Sequence, residues 1–130
     1  MNPPDSRPCR VLVVDDDPSV LTSLERAFRL RGFAVLTATT GTQAVQLYRC
    51  HRRAISVVLM DVQMPDLDGP QTLAALRQID PDLRCCFMSG GVARTEAELV
   101  AMGAVHVFDK PFPDLDELAF MLGQVARNRC

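Results

Sequence analysis

The 130-residue chain has no tryptophan, one tyrosine and one lysine, and aromatic residues make up only 5% of it. Nowhere does it stay apolar for the ~20 residues that a membrane crossing needs, which excludes a transmembrane span. Residues 1–8 are polar and proline-bearing, without the apolar stretch of a secretory signal. They are expected to form a loose tail, and the protein to be cytoplasmic. There is no excess of one charge: 14 basic and 16 acidic residues give a net charge of −2, so neither nucleic acid nor a membrane surface is an expected partner. The five cysteines, Cys9, Cys50, Cys85, Cys86 and Cys130, lack metal-type spacing. Cys85 and Cys86 are adjacent and would point to opposite faces of a strand. All five are expected to be reduced thiols. Internal repeats and low-complexity tracts are absent.

What is present is the balance of one globular domain, 48% hydrophobic and 23% charged. A chain of this size buries roughly two-thirds of its unfolded surface, enough for a core without metal or disulfide. Short, nearly continuous apolar runs occur at Val11–Val14, Val35–Thr39, Val57–Met60, Cys85–Met88 and Val105–Phe108, the pattern of strands buried on both faces. Helical patterns lie between and after them. The first carries Val20, Leu21, Leu24, Ala27 and Phe28 on one face, with Asp17 as N-cap, Pro18 at the first position and Gly32 at the stop. A second is expected from Thr42 to His51, with Ala44, Val45 and Tyr48 inward. A third follows Gly69–Pro70, buries Leu73 and Leu76 and ends before Asp80–Pro81. A fourth covers about 95–102, before Gly103. The fifth runs from about Asp114 to Asn128 with Leu115, Leu118, Ala119, Leu122, Val125 and Ala126 as its stripe and Phe120 roughly opposite.

Five strands alternating with five helices predict an α/β fold, a doubly wound five-stranded parallel sheet with right-handed crossovers. Ligands in such sheets sit at the carboxyl ends of the strands. There the first strand ends in Asp15, Asp16 and Asp17, the third in Asp61, the fourth in Ser89 and the fifth in Asp109–Lys110–Pro111. Asp17 caps a helix, but one cap needs one carboxylate. The other acids would repel one another without a cation, and hard oxygen ligands with no histidine or cysteine nearby point to Mg2+.

Val-Leu-Val-Val-Asp-Asp-Asp-Pro (11–18), Met-Asp-Val-Gln-Met-Pro-Asp-Leu-Asp-Gly (60–69), Met-Ser-Gly (88–90) and Asp-Lys-Pro-Phe (109–112) resemble the receiver domain of two-component response regulators, the CheY-like fold. The resemblance covers nearly the whole chain and implies a tail at 1–8, a receiver at 9–128 and the strand order 2-1-3-4-5. It implies that Asp61 accepts a phosphoryl group from a histidine kinase or histidine phosphotransfer protein. It also implies that Asp15, Asp16, Asp61 and the Gln63 carbonyl hold Mg2+, that Ser89 hydrogen-bonds the phosphoryl group, and that Lys110 pairs with its oxygens. A cis Lys110–Pro111 bond, and output to a target or a second copy through the fourth helix, fifth strand and fifth helix, are further implications. The chemistry suits these roles, since phosphoryl transfer needs an in-line nucleophile and neutralised oxygens. One departure stands out: Val107 occupies the position, three before Lys110, where many receivers carry a switching aromatic. With Phe108 on the opposite face, the switch is expected to run through the 89–91 loop.

Several local patterns have plainer readings. Thr37–Thr42 is similar to a flavodoxin phosphate loop, but it follows the second strand and flavin-sandwiching aromatics are scarce, so it reads as a strand end running into a helix cap. Asp66–Leu67–Asp68–Gly69 lacks the remaining ligands of a calcium loop and reads as a turn and cap. His51 and His106 read as surface or packing residues. Two rival functions remain. An aspartyl-phosphate hydrolase of the haloacid dehalogenase type would carry Asp-x-Asp after its first strand and a cap domain. A non-phosphorylated receiver-like interaction module would not need the Asp15, Asp16, Asp61, Ser89 and Lys110 set. The chain is expected to be a single-domain regulator or the receiver of a longer one.

Overall fold

The computed structural model describes residues 9–91, 94–112 and 114–127. The expected tail at 1–8, and the expected end of the last helix at Asn128, lie outside the described residues. Along the chain run β1 (Arg10–Val14), α1 (Pro18–Leu30), β2 (Ala34–Ala38), α2 (Gly41–His51), β3 (Val57–Asp61), α3 (Gly69–Ile79), β4 (Cys85–Ser89), α4 (Glu96–Ala101), β5 (His106–Asp109) and α5 (Leu115–Ala126). The strands form one sheet in the order β2-β1-β3-β4-β5, and every neighbouring pair is parallel. This is the CheY-like arrangement.

The sheet separates two cores because successive strand residues face opposite sides. Leu12, Val14, Val58, Met60, Cys85, Phe87 and Val107 pack with Ala44 and Tyr48 of α2, Leu73 and Leu76 of α3 and Leu99 of α4. Val11, Val13, Leu59, Cys86, Met88 and Phe108 pack with Leu21, Leu24 and Phe28 of α1 and Leu118, Leu122 and Ala126 of α5. Each fully buried leucine or phenylalanine contributes about 1.5–3 kcal/mol. Cys85 and Cys86 do point to opposite faces, as do Val107 and Phe108. Burial pushes both thiols up, that of Cys86 to about 12, so neither is a nucleophile at neutral pH. Phe120 is exposed, and His106 stacks edge-on against Phe108.

The expectation of five thiols fails at Cys9, which is disulfide-bonded, while Cys50, Cys85 and Cys86 are free. Spacing along a chain carries no information about which cysteines a fold brings together. Among the described residues no helix is long and apolar enough to cross a membrane.

Helix starts fall at the carboxyl edge of the sheet, and capping side chains fix them there. Asp17 accepts from the Ser19 N–H and Thr40 from the Gln43 N–H, which bears out the cap readings of Asp17 and the 37–42 stretch. Asp68 with Gln71, and Thr95 with Glu98, form reciprocal capping boxes. Each helix thus enters at a fixed point beside the strand end it follows.

Candidate functional site

Asp15 begins where β1 ends. Its backbone N–H donates to the Ala38 carbonyl, and its carboxylate accepts from the Asp17 N–H at 2.9 Å and from Lys110 Nζ at 2.6 Å. The side chain is almost fully buried, so these bonds offset the desolvation of its charge. Asp16 is next along and exposed. Asp61 closes β3. Carboxylate oxygens of Asp15, Asp16 and Asp61 lie within 4.8 Å of one another.

The chain after Asp61 must turn back tightly. Gly69 N–H donates to the Val62 carbonyl, and a Cβ on Gly69 would come within 2.6 Å of the Asp61 carbonyl oxygen and 2.8 Å of the Phe87 ring. Only glycine lets α3 start this close to the acid. The intervening loop carries Gln63, and it is also tied to α2: the Thr42 hydroxyl donates to Asp66, a non-glycine residue with φ of +74°. A Cβ on Gly41 would meet Leu67 of the same loop at 2.8 Å, so the start of α2 abuts it.

Lys110 and Ser89 arrive from the neighbouring strands and are joined by a backbone bond from the Lys110 N–H to the Ser89 carbonyl, 2.9 Å. The Lys110–Pro111 bond is cis, as expected. Lys110 Nζ stands 3.4 Å from Asp61 Oδ2. Ser89 Oγ makes one long bond, 3.4 Å, to the Gly91 carbonyl. Asp61, Gln63, Ser89, Gly91, Arg94 and Lys110 line one cavity of about 230 Å3. The structure therefore brings together every residue singled out from sequence and adds Arg94. Its one signal in the sequence was to be the lone arginine or lysine between Arg84 and Lys110.

The electrostatics follow from this crowding. Burial raises the Asp61 carboxyl above its ordinary value; the Lys110 ammonium pulls it back, and the Asp15 charge pushes it up again. Burial alone would lower Lys110, but the bond to Asp15 and the charges of Asp61 and Asp15 outweigh it and hold the ammonium above its usual range. Three carboxylates against one ammonium leave a net negative pocket of oxygen donors. That donor set fits a hard divalent cation.

A family model described as the response regulator receiver domain matches residues 11–122. The chain belongs to the response regulator receiver family. It is 42% identical over 122 residues to the transcriptional regulatory protein PrrA of Mycobacterium tuberculosis, covering 92% of this chain and 51% of that protein. It is 36% identical over 110 residues to the sensor kinase CckA of Brucella abortus, there only 12% of the length. The receiver thus spans about half or less of these curated relatives. Among solved structures it resembles a response regulator receiver domain protein of Clostridium thermocellum, with TM-score 0.85, 24% identity and 93% of this chain and 96% of that one covered. It also resembles a chain of the CheX–CheY–BeF3–Mg2+ complex of Borrelia burgdorferi, with TM-score 0.84, 29% identity and 92% and 90% covered.

Proposed function

We propose that this receiver, taken as residues 9–128, accepts a phosphoryl group on Asp61 from the phosphohistidine of a sensor kinase or histidine phosphotransfer protein, in the cytoplasm. The observation that carries the reading is the placement of the Asp61 carboxylate: at the mouth of an open cavity, 3.4 Å from an ammonium and beside two further carboxylates. An Asp61 oxygen forms the new bond to phosphorus. The bond from phosphorus to the donor's imidazole nitrogen breaks, and its electron pair stays with the imidazole, which takes up a proton.

Asp15, Asp16, Asp61 and the Gln63 carbonyl are the groups that would hold Mg2+, whose charge, when bound, offsets that of the equatorial oxygens. The presence of Mg2+ and BeF3 in the CheX–CheY complex of Borrelia burgdorferi, one chain of which this receiver resembles, supports Mg2+ as the metal. Lys110 supplies a point charge to the same oxygens and Ser89 a hydroxyl donor. Turnover is confined to the protein's own aspartate. Asp15–Asp16–Asp17 after β1 does read Asp-x-Asp, but Asp15 is buried and bonded to Lys110 and Asp17 caps α1. Neither is an open nucleophile, so the hydrolase alternative is disfavoured. The non-phosphorylated module is disfavoured because the full acidic, hydroxyl and ammonium set converges.

Output is assigned to the face made by α4, β5 and α5. Ser89 and Lys110 lead directly into it, and Val100 on α4, with Met102 and Val105 between α4 and β5, are exposed apolar groups available to a target or a second copy. Phe120, expected there, instead lies on the side of α5 turned toward Arg31, Gly32 and Phe33. Incubation with acetyl phosphate and Mg2+, followed by intact mass measurement, tests the proposal. A gain of one phosphoryl group that is absent in Asp61→Asn is expected. No gain in the wild-type protein, or an equal gain in the variant, would overturn it.

A further inference from the structure

We propose that Arg94 is a second cation of the phosphoryl site and pairs through its guanidinium with the phosphoryl oxygens on Asp61; the inference rests on the phospho-accepting reading above. Two cationic side chains line the cavity among the described residues, Lys110 and Arg94. They differ in what already holds them. Lys110 is bonded to Asp15 at 2.6 Å and stands 3.4 Å from Asp61. The Arg94 guanidinium has no hydrogen-bond or ion-pair partner among the described residues. Glu98 feels the charge of Arg94 but makes no ion pair with it, and its carboxylate accepts from the Thr95 N–H at 3.0 Å. That capping box also fixes the backbone immediately after Arg94, because the Thr95 hydroxyl accepts in turn from the Glu98 N–H.

Charge balance shows when this cation matters. Before transfer, the three carboxylates are offset by Lys110 and one divalent ion. Transfer turns the Asp61 carboxylate into an acyl phosphate carrying up to about two negative charges, so the pocket is left with an excess of about one. Arg94 is the cation at the cavity wall able to cancel it. Its planar fork can donate to two oxygens of one tetrahedral group, which the ammonium of Lys110 cannot do in the same plane. Arg94 would thus act on the anion and not on the metal, since an arginine beside a cation site can only repel the cation.

This difference in sign gives the test. Wild-type protein, Arg94→Ala and Arg94→Lys are titrated calorimetrically, first with Mg2+ alone and then with beryllofluoride, a phosphoryl mimic, at saturating Mg2+. Arg94→Ala is expected to bind beryllofluoride about tenfold more weakly, with partial recovery in Arg94→Lys and Mg2+ affinity unchanged or modestly higher. Equal beryllofluoride affinity in wild type and Arg94→Ala would overturn the inference while leaving the phospho-accepting reading intact. A parallel loss of Mg2+ and beryllofluoride would also overturn it, as the mark of a merely structural residue. Failure of the wild-type protein to bind beryllofluoride in Mg2+ would overturn the phospho-accepting reading itself, and this inference with it.

Discussion

The Thr42 hydroxyl donates to the Asp66 carboxylate across 24 positions of sequence and so joins the start of α2 to the loop that follows Asp61. Asp66 has φ of +74°, a region that costs a non-glycine residue about 1–2 kcal/mol and persists where the surroundings over-determine it. Thr42→Val keeps the shape and deletes the donor. The expected loss of stability is about 1 kcal/mol, read as a lower melting temperature. Because the loop also carries Gln63, Mg2+ affinity should fall several-fold in the same variant. Unchanged affinity would show that the tether does not shape the metal loop.

Asp61 carries a stability cost at neutral pH. Its folded-state pKa is raised, chiefly by burial, so its contribution is fully present below the ordinary carboxylate value and lost as pH rises through the raised one. Asp61→Asn should therefore melt higher than wild type at pH 7 without metal, and the gain should vanish near pH 3. Melting curves across pH check this, and a gain that grows on acidification would contradict it.

Magnesium should stabilise the fold by relieving the repulsion among Asp15, Asp16 and Asp61. At one hundred times its dissociation constant, a ligand that binds only the native state adds about 2.7 kcal/mol. Thermal melts with Mg2+, then with excess chelator, measure the effect. Asp16→Ala should bind Mg2+ more weakly and lose most of the shift.

Removing Lys110 strands a carboxylate. Asp15 is buried, and Lys110 Nζ is its ammonium partner at 2.6 Å, so Lys110→Ala should cost about 2–4 kcal/mol. The double variant Asp15→Asn, Lys110→Ala should recover part of that loss, because the most deeply buried of the stranded charges is gone while Asp61 still lacks the ammonium. Denaturant unfolding of the three proteins decides it.

Signal output can be followed residue by residue. Amide chemical shifts with and without beryllofluoride should change in residues 94–108, beyond the pocket itself. Changes confined to the neighbours of Asp61 would remove the α4, β5 and α5 face from the output route.

The elements were legible because each one obeys a local rule. Short, nearly continuous apolar runs mark the strands, and Asp17, Thr40, Asp68, Thr95 and Asp114 each sit one residue before a helix. Boundaries shifted by about a residue: β1 starts at Arg10, which pairs with Ala34, and β5 at His106, the register partner of Cys86. The site acids were legible for the same reason, as Asp61 ends β3 and Asp15 and Asp16 directly follow β1. What escaped were relations between side chains far apart in sequence. The Asp66 tether, the Asp15 bond to Lys110, the disulfide at Cys9 and the approach of Arg94 to the cavity have no periodicity or cap to announce them. Arg94 is one loop arginine among thirteen, and only the folded loop gives it a role.

Lys110 is the only lysine in the chain, and its side chain is one-fifth exposed. Reagents that acylate ε-amines therefore have a single lysine address, and it lies on the wall of the Asp61 cavity. Acylation there would erase the ammonium and leave the buried Asp15 carboxylate without it. The rate at which such a label enters would report directly on whether the pocket is filled, with no engineered reporter required.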